Sequence, residues 1–321
     1  MAYTQGNKIL TDHYNTFVSG DPLFGVKNNN VNNINSLWGL GSGDRGYGQS
    51  TILGEVAVSN TVTATQWATL LTRTNSMASH QGSALTATIS PTGGDIIEAI
   101  TAIQGNIDLL ATNRQDAIAT GTSDNIVASD GTGWALTSTH RIDVLFSTAD
   151  HARYFFNAGG QLEITFSRVG GAGSSKELDW DDQGGGGLLG DFGTTIIGSH
   201  HTTKTGGTGP YGGGTENTEY GIGYYELDLV GIEVHRQFAS GSVYTSNKVN
   251  ITASVNGPQG VNNDNGSLVS IIGECLDPSA SGDPITGTMN MLVLVRYPST
   301  TFLTEAAWGS IAFQNVGVTQ A

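Results

Sequence analysis

The sequence has little of what marks an exported, membrane-bound or nucleic-acid-binding protein. Cys275 is the single cysteine among 321 residues, so no disulfide can form within the chain. Only 13% of the residues are charged, and acidic side chains outnumber basic ones to give a net charge of −15. Because binding to DNA or RNA depends on lysine and arginine at the phosphates, this balance excludes nucleic-acid binding as the main activity.

Long apolar runs are also missing. The longest strongly apolar stretch, residues 291 to 295, is far shorter than the roughly 20 residues that cross a bilayer. The first ten residues lack the basic and apolar regions of a secretion signal. We therefore expect a soluble protein without membrane insertion. Glycine is abundant instead, with 46 residues clustered in stretches typical of long loops in a β-rich fold.

The first third of the chain has helical spacing. Thr63 and Gln66 form a capping-box pattern, and Trp67 begins a series of apolar residues three and four apart. This pattern predicts a helix from Thr63 to about Gly82.

An alignment of residues 6–58 with residues 59–118 places Tyr14 opposite Trp67 and Phe17 opposite Leu70. The match indicates a degenerate internal repeat of two helix pairs. The alternative is that two amphipathic helices with similar caps look alike by chance.

A second helix is predicted over residues 95 to 118. Its isoleucines follow a heptad spacing and are Ile96, Ile100, Ile103 and Ile107. Such a seam suits either an oligomer interface or packing against the helix that contains Trp67.

The remainder of the chain alternates with a period of two. Residues 141 to 168 contain two alternating segments around an aromatic stretch, which predicts a β-hairpin. Residues 249 to 255, 268 to 272 and 289 to 295 predict further strands, the last two in central positions. A change of apolar phase at Val230 and Gly231 predicts a β-bulge there.

These patterns together predict an α+β fold. An N-terminal helical domain for attachment and assembly, residues 1–135, precedes a C-terminal antiparallel β-sandwich, residues 136–321, with a long Gly-rich loop. Residues 169–221 have few apolar side chains to offset the entropy cost of ordering. They predict an exposed arm that orders against a neighbouring subunit.

Few residues suggest catalysis or metal binding. Residues 41 to 46 match G-x-G-x-x-G, but a predicted helix precedes them, which argues against a dinucleotide site. Asp179, Asp181 and Asp182 are candidate ligands for a hard cation, with a solvated acidic loop as the simpler interpretation. We expect no cofactor and no enzymatic activity.

An aromatic stretch follows the first alternating segment. Arg153, Tyr154, Phe155 and Phe156 are expected in the packed core, with Arg153 paired to a carboxylate or a carbonyl. The alternative is that these aromatic rings stack on sugars.

Five segments carry a family resemblance. Residues 6–18, 38–49, 67–83, 153–160 and 296–299 resemble those of virion structural proteins of tailed bacteriophages, including phages of marine cyanobacteria. The resemblance implies a tail, baseplate or tail-fibre-like role, and it implies no catalytic residues.

We therefore expect a virion protein that is made in the host cytoplasm and acts by homo-oligomeric assembly with copies of itself and other virion proteins. A second hypothesis is an adhesin that binds a host surface glycan through the tyrosines of the Gly-rich region, Tyr211, Tyr220, Tyr224 and Tyr225. A third is a depolymerase that uses the carboxylates near Asp179, and a fourth is a capsid decoration protein.

Overall fold

The computed structural model describes residues 11–20, 32–57, 59–86, 100–117, 121–181, 187–207, 216–218, 221–239, 244–257, 266–278 and 284–321. Its α-helices are α1 (Thr11–Ser19), α2 (Ile34–Trp38), α3 (Ala64–Gln81), α4 (Ile100–Thr112), α5 (Ala149–Asn157), α6 (Ser175–Trp180) and α7 (Leu188–Phe192). A 3-10 turn, Asn113–Gln115, follows α4. Within the described residues, no helix is long and apolar enough to cross a membrane.

The strands form two antiparallel sheets. They are β1 (Ser123–Ser129), β2 (Thr137–Phe146), β3 (Gln161–Val169), β4 (Thr194–Ile197), β5 (Thr202–Thr205), β6 (Glu216–Thr218), β7 (Ile232–Phe238), β8 (Lys248–Val255), β9 (Leu268–Leu276), β10 (Thr288–Arg296) and β11 (Ile311–Gln320). One sheet has the order β1-β10-β3-β4-β5 and the other β11-β2-β9-β8-β7-β6. The predicted strands β9 and β10 lie in the interior of their sheets. The further expectation that both faces are covered is wrong for β10, whose buried residues alternate with partly exposed ones.

The inner faces of the two sheets pack against each other, as predicted for a sandwich. Alternate residues of β8 are buried, since only one side of the pleat faces the core. At the centre of β9, a β-carbon on Gly273 would overlap the Phe166 ring of β3 and the Met291 sulfur of β10. The two sheets therefore approach each other closely at Gly273. Cys275 on the same strand is buried and free.

The predicted β-hairpin over residues 141 to 168 is wrong. The two alternating segments are strands, β2 and β3, but they belong to different sheets. The aromatic stretch between them is helix α5, which Thr148 caps by accepting a hydrogen bond from the His151 N–H. The chain thus crosses from one sheet to the other through a buried helix.

The predicted helix beginning after Thr63 is confirmed as α3. Thr63 and Gln66 form both bonds of the capping box, and Gly82 ends the helix in the left-handed conformation. Trp67 is fully buried and contacts Phe17 of α1 edge to face, with ring centroids 6.3 Å apart.

Helix α4 packs its isoleucines inside the chain. Ile103 and Ile107 are buried in the core beside α3. Burial within one chain favours the packing interpretation over the oligomer seam for these two residues. Ile96 and the side chain of Ile100 lie outside the described residues.

The predicted exposed arm over residues 169–221 is wrong for the part that the structure describes. This segment forms α6, α7, β4 and β5, and the last two extend the first sheet. Trp180, Phe192 and Ile197 are fully buried. Sequence reasoning failed here because the average composition of the segment is polar and rich in glycine. A few large apolar residues, widely spaced among the glycines, nevertheless bury enough surface to order it.

Two further expectations differ from the structure. The bulge predicted at Val230 and Gly231 lies instead within β7, where the register shifts between Glu233 and His235. Strand β1, which the prediction placed before the domain boundary, belongs to the first sheet. The buried apolar side chains of the helices and of both sheets form one continuous core cluster.

Candidate functional site

A buried polar cluster joins the helices to the sheets. It consists of the loop 39–49 with the side chains of Gln81, Arg153, Asn157 and Tyr225, and we call it the central joint. Each of the four side chains is nearly inaccessible to solvent, at 2 to 6% exposure. Polar groups this deep require hydrogen-bond partners, because an unmet one costs about 1–3 kcal/mol.

Arg153 lies at the centre of the joint. Its Nη1 donates to the carbonyl oxygens of Arg45 (2.7 Å) and Gly43 (3.2 Å), and its Nη2 donates to the carbonyl oxygen of Leu40 (2.7 Å). Asp150, one turn earlier on α5, supplies the opposing charge at 3.2 Å. The guanidinium therefore fixes three successive parts of the loop at once.

Asn157 and Tyr225 complete this side of the joint. Asn157 Nδ2 donates to the carbonyl oxygen of Gly46 (3.0 Å). The Tyr225 hydroxyl lies 2.8 Å from both Asn157 Oδ1 and the Gly43 carbonyl oxygen. Burial raises the pKa of Tyr225 well above its usual value, so the hydroxyl keeps its proton and remains a donor.

Two glutamines, Gln81 and Gln49, make further hydrogen bonds in the central joint. Gln81, the last residue of α3, donates through Nε2 to the Tyr47 hydroxyl at 2.7 Å. Gln49 accepts from the backbone N–H of Thr304 (2.8 Å) and of Glu305 (3.0 Å), and donates to the Glu305 carbonyl oxygen (2.9 Å). The loop is thus bonded to the end of α3 and to the β10–β11 connection as well as to α5.

The direction of the loop's hydrogen bonds argues against a nucleotide site at the G-x-G-x-x-G pattern of residues 41 to 46. A dinucleotide-binding loop presents backbone N–H groups to phosphate. Here the carbonyl oxygens point into the joint, toward the cation of Arg153. A β-carbon on Gly48 would overlap the Tyr154 ring, so this glycine allows the loop to lie directly on α5. The geometry is that of an internal clamp and not of a phosphate site.

A charged cluster lies beside the joint. His200 Nδ1 is 2.7 Å from Glu226 Oε1, and its Nε2 is 3.3 Å from Asp44 Oδ2. Arg114 pairs with the same Asp44 carboxylate, and the His200 ring stacks on Tyr225 with centroids 4.9 Å apart.

The two carboxylates keep His200 charged. Burial alone would lower the pKa of His200, but the hydrogen bonds and charges of Asp44 and Glu226 outweigh it and raise the pKa to about 9. The pKa of Asp44 is well below its usual value because hydrogen bonds from His200 and Arg114 outweigh the effect of burial. A histidine that stays protonated at neutral pH has no lone pair to act as a general base. We therefore assign this cluster a structural role.

This arrangement predicts a stability change with alkaline pH. The folded pKa of His200 lies above the unfolded value of about 6.5, so its contribution is complete below pH 6.5 and is lost as the pH rises to about 9. Urea denaturation of the wild type should show a loss of about 2 kcal/mol over this window, because solvent screening at the partly exposed His200 reduces the full value of about 3 kcal/mol. His200→Gln should flatten the decline. An equally steep decline in His200→Gln would show that another group causes it.

The predicted acidic loop is an anchored helix. Arg168 donates to both carboxylate oxygens of Asp181, at 2.7 Å each. Glu177 is buried, and although burial would raise its pKa, hydrogen bonds from Thr286, Ser174 and Gly173 lower the pKa to about 2. These carboxylates therefore fix α6 to the sheet.

The two metal candidates that the structure describes, Asp179 and Asp181, are not part of a metal site. Asp181 is occupied by Arg168, Asp179 is half-buried, and Asp182 lies outside the described residues. In the part of the chain that the structure describes, no three His, Cys, Asp or Glu side chains are arranged to hold a metal ion.

A cavity of about 490 Å³ lies between β3, α7 and β5. Hydroxyl groups and glycine backbone line much of it, with Thr165, Ser167, Thr194, Thr205, Gly193 and Gly206 among the lining residues. Arg168 and Asp181 form its charged wall. Its size and polarity suit a small neutral polar ligand.

The aromatic candidates lie in the interior. Tyr154, Phe155 and Phe156 are 6%, 0% and 1% exposed, which places them in the core and away from any sugar. Tyr224 and Tyr225 are also buried. Tyr211 and Tyr220, the remaining tyrosines suggested for glycan contact, lie outside the described residues.

Sequence reasoning missed Asp44, Gln49, His200 and Glu226. His200 is 26 residues from Glu226, and Gln49 is 256 residues from Glu305. No spacing rule relates positions so far apart, and only the fold brings them together.

The protein was compared with known families, proteins and structures. No family model, no curated protein and no solved structure matches the chain. A functional interpretation therefore depends on the geometry and on the sequence segments described above.

Proposed function

We propose that the protein is a structural component of a tailed-phage virion, in the tail, baseplate or a tail appendage, and that it acts by self-association. One observation carries this proposal. Four of the five segments that resemble phage virion proteins converge on or beside the central joint.

Direct contacts connect these four segments. Residues 39–49 form the joint's loop, and residues 153–160 begin with Arg153. His80 at the end of α3 lies 3.0 Å from the Ala158 carbonyl oxygen. Tyr297, in the closing segment, contacts Phe155 edge to face with centroids 6.1 Å apart. These segments build a rigid interior and not a ligand pocket, as expected of a protein that functions through its shape.

The charge distribution also supports a role in assembly. Basic side chains form ion pairs within the chain, and they are Arg114, Arg141, Arg153, Arg168, Lys176, Arg236 and Arg296. With a net charge of −15, copies of the chain repel one another except where the surface is uncharged. Self-association is therefore expected through neutral surface.

Under this proposal, the helices and the sandwich have different roles. The helices α1–α4 serve for attachment to other virion proteins, and the sandwich makes the contacts between copies. The glycine-rich stretches 182–186 and 208–215 lie outside the described residues, so ordering of an arm on a neighbour stays a prediction.

The proposal predicts oligomers in solution and the protein in particles. Sedimentation velocity of the purified chain at micromolar concentration should show a defined species larger than the monomer. Immunogold labelling of intact particles should place the protein on the tail. A chain that stays monomeric and is absent from particles would contradict the proposal, and labelling of the head alone would favour capsid decoration.

The polar cavity favours a second candidate, the glycan-binding adhesin. Hydroxyl and backbone groups around about 490 Å³ of space suit the hydroxyls of a sugar. Binding on a glycan array would support this candidate, with host surface glycan as the partner.

A further inference from the structure

Strand β11 forms an edge of the second sheet and has unusual composition for that position. Its ten residues, IAFQNVGVTQ, contain no charged side chain and no proline. Within the described residues only β2 pairs with it. Edge strands of soluble monomers are ordinarily short, charged, bulged or interrupted by proline, because unpaired backbone groups otherwise recruit another strand. Of these features β11 has only a bulge, between Gln314 and Gly317.

The pairing with β2 shows which backbone groups of β11 face outward. Ala321 and Thr137 exchange two hydrogen bonds, at 3.1 Å each, so the backbone groups of these two residues face each other. Because antiparallel pairs alternate, Thr319 faces β2 in the same way and Gln320 and Val318 face outward.

The other end of the strand gives the same result. The Phe146 N–H bonds to Ser267 on the opposite side of β2, at 2.7 Å. The neighbouring pair, Leu145 and Ala312, therefore faces inward. On β11, the backbone N–H and C=O groups of Ile311 and Phe313 are therefore directed to the free edge.

The residues of β11 whose backbone groups face outward are arranged symmetrically about the centre of the strand, and they are Ile311, Phe313, Val318 and Gln320. Phe313 and Val318 are equally far from the centre of the strand, and so are Ile311 and Gln320. A second copy, rotated by a two-fold axis through the bulge at Asn315 and Val316, would set Phe313 opposite Val318 and Ile311 opposite Gln320. Each such pair can exchange two backbone hydrogen bonds.

The bulge is held in a fixed shape. Asn315, with φ 46°, donates from Nδ2 to Asp143 Oδ2 at 2.6 Å, and Arg141 donates to the same carboxylate at 3.0 Å. The bulge side chain is thus directed toward β2 and leaves the outer edge clear.

Charge favours a copy of the same chain as the occupant. No side chain of β11 is charged, although the chain as a whole has a net charge of −15. Exposed apolar side chains lie along the same edge of the sheet, with Leu136 beside Ala321 and Val316 on β11. Burying them on association adds a favourable hydrophobic contribution.

We infer that two copies associate through antiparallel pairing of their β11 strands, which joins two six-stranded sheets into one continuous sheet across a two-fold axis. This inference rests on the self-association proposed above, and it names the surface responsible.

The test adds like charges to the contact. Ala312 and Thr319 are exposed and face no charged residue on β2, so Ala312→Glu with Thr319→Glu should leave the fold unchanged. In the paired state, each glutamate at position 312 lies directly opposite the glutamate at position 319 of the other copy. We expect sedimentation velocity to show a dissociation constant at least about tenfold higher than that of the wild type, with partial recovery in high salt.

A matched control places the same charges on another edge. Thr203→Glu with Thr205→Glu adds two exposed glutamates to β5, the edge strand of the other sheet, and should leave association unchanged. Hydrogen exchange should show the Phe313 and Val318 amides protected in the wild type and exchanging rapidly in the β11 variant.

The outcomes separate the two proposals. If the wild type self-associates and the β11 variant does so equally well, or if only the β5 variant dissociates, then the β11 inference is overturned and self-association stands. If the wild type is monomeric at every concentration, both are overturned.

Discussion

Replacement of Arg153 by methionine is expected to destabilise the protein by about 3–5 kcal/mol, because it leaves three carbonyl oxygens of the central joint without their donor, at about 1–3 kcal/mol each. They are the carbonyl oxygens of Leu40, Gly43 and Arg45, whose bonds to the guanidinium are buried or partly buried. Thermal unfolding should show a melting temperature lower by roughly 10 °C. Arg153→Lys should recover only part of the loss, since one ammonium cannot reproduce the planar set of donors.

The control is an arginine with a similar ion pair at the surface. Arg236 pairs with Glu233 three residues earlier, and its side chain is 34% exposed. Arg236→Met should change the unfolding free energy by no more than about 1 kcal/mol. If Arg153→Met cost as little as Arg236→Met, the central joint would not be the structural centre that we infer from its geometry.

The parts of the fold that could be predicted from sequence are those with local causes. The capping box at Thr63 and Gln66 acts within one helical turn, and it located α3 correctly. Apolar and polar residues alternate along residues 249 to 255, as expected for a strand with one buried face, so β8 was also predicted correctly. In both cases the interacting residues are close in sequence.

Helix α5 shows where local reasoning fails. Tyr154, Phe155 and Phe156 favour strands in general, and alternating segments on both sides strengthened that interpretation. The signal that was missed is Thr148, a helix N-cap residue whose side chain accepts from the His151 N–H. Tertiary packing then decides the outcome, since the helix places all three aromatic rings in the core.

The central joint could be predicted only in part. A carboxylate or a carbonyl was expected as the partner of Arg153, and the structure has both, since Asp150 and the loop carbonyl oxygens bond to it. The sequence did not indicate that the carbonyl oxygens would come from residues 108 to 113 positions away. Sequence context argued against a dinucleotide site at residues 41 to 46, without indicating that Arg153 contacts this loop. Sequence patterns identify which residues are unusual, and the fold decides which of them meet.

A second large effect is expected at the ion pair between Lys176 of α6 and Asp277, which follows β9. Both side chains are nearly inaccessible, at 1% and 0% exposure. Lys176→Met should destabilise the protein by about 3–5 kcal/mol, because it leaves the Asp277 carboxylate buried without its counter-charge. Urea denaturation with an unchanged m-value would show that the loss lies in the folded state.

The double variant distinguishes an uncompensated charge from simple loss of packing. In Lys176→Met with Asp277→Leu, no buried charge remains, and the two apolar side chains fill a similar volume. The double variant should therefore be more stable than Lys176→Met alone, and within about 2 kcal/mol of the wild type. Asn247, whose amide contacts Asp277 at 3.0 Å, loses that partner, which sets a limit to the recovery. Additive losses from the two single variants would instead show that the pair contributes through packing, because independent contributions sum in a double-mutant cycle and coupled ones do not.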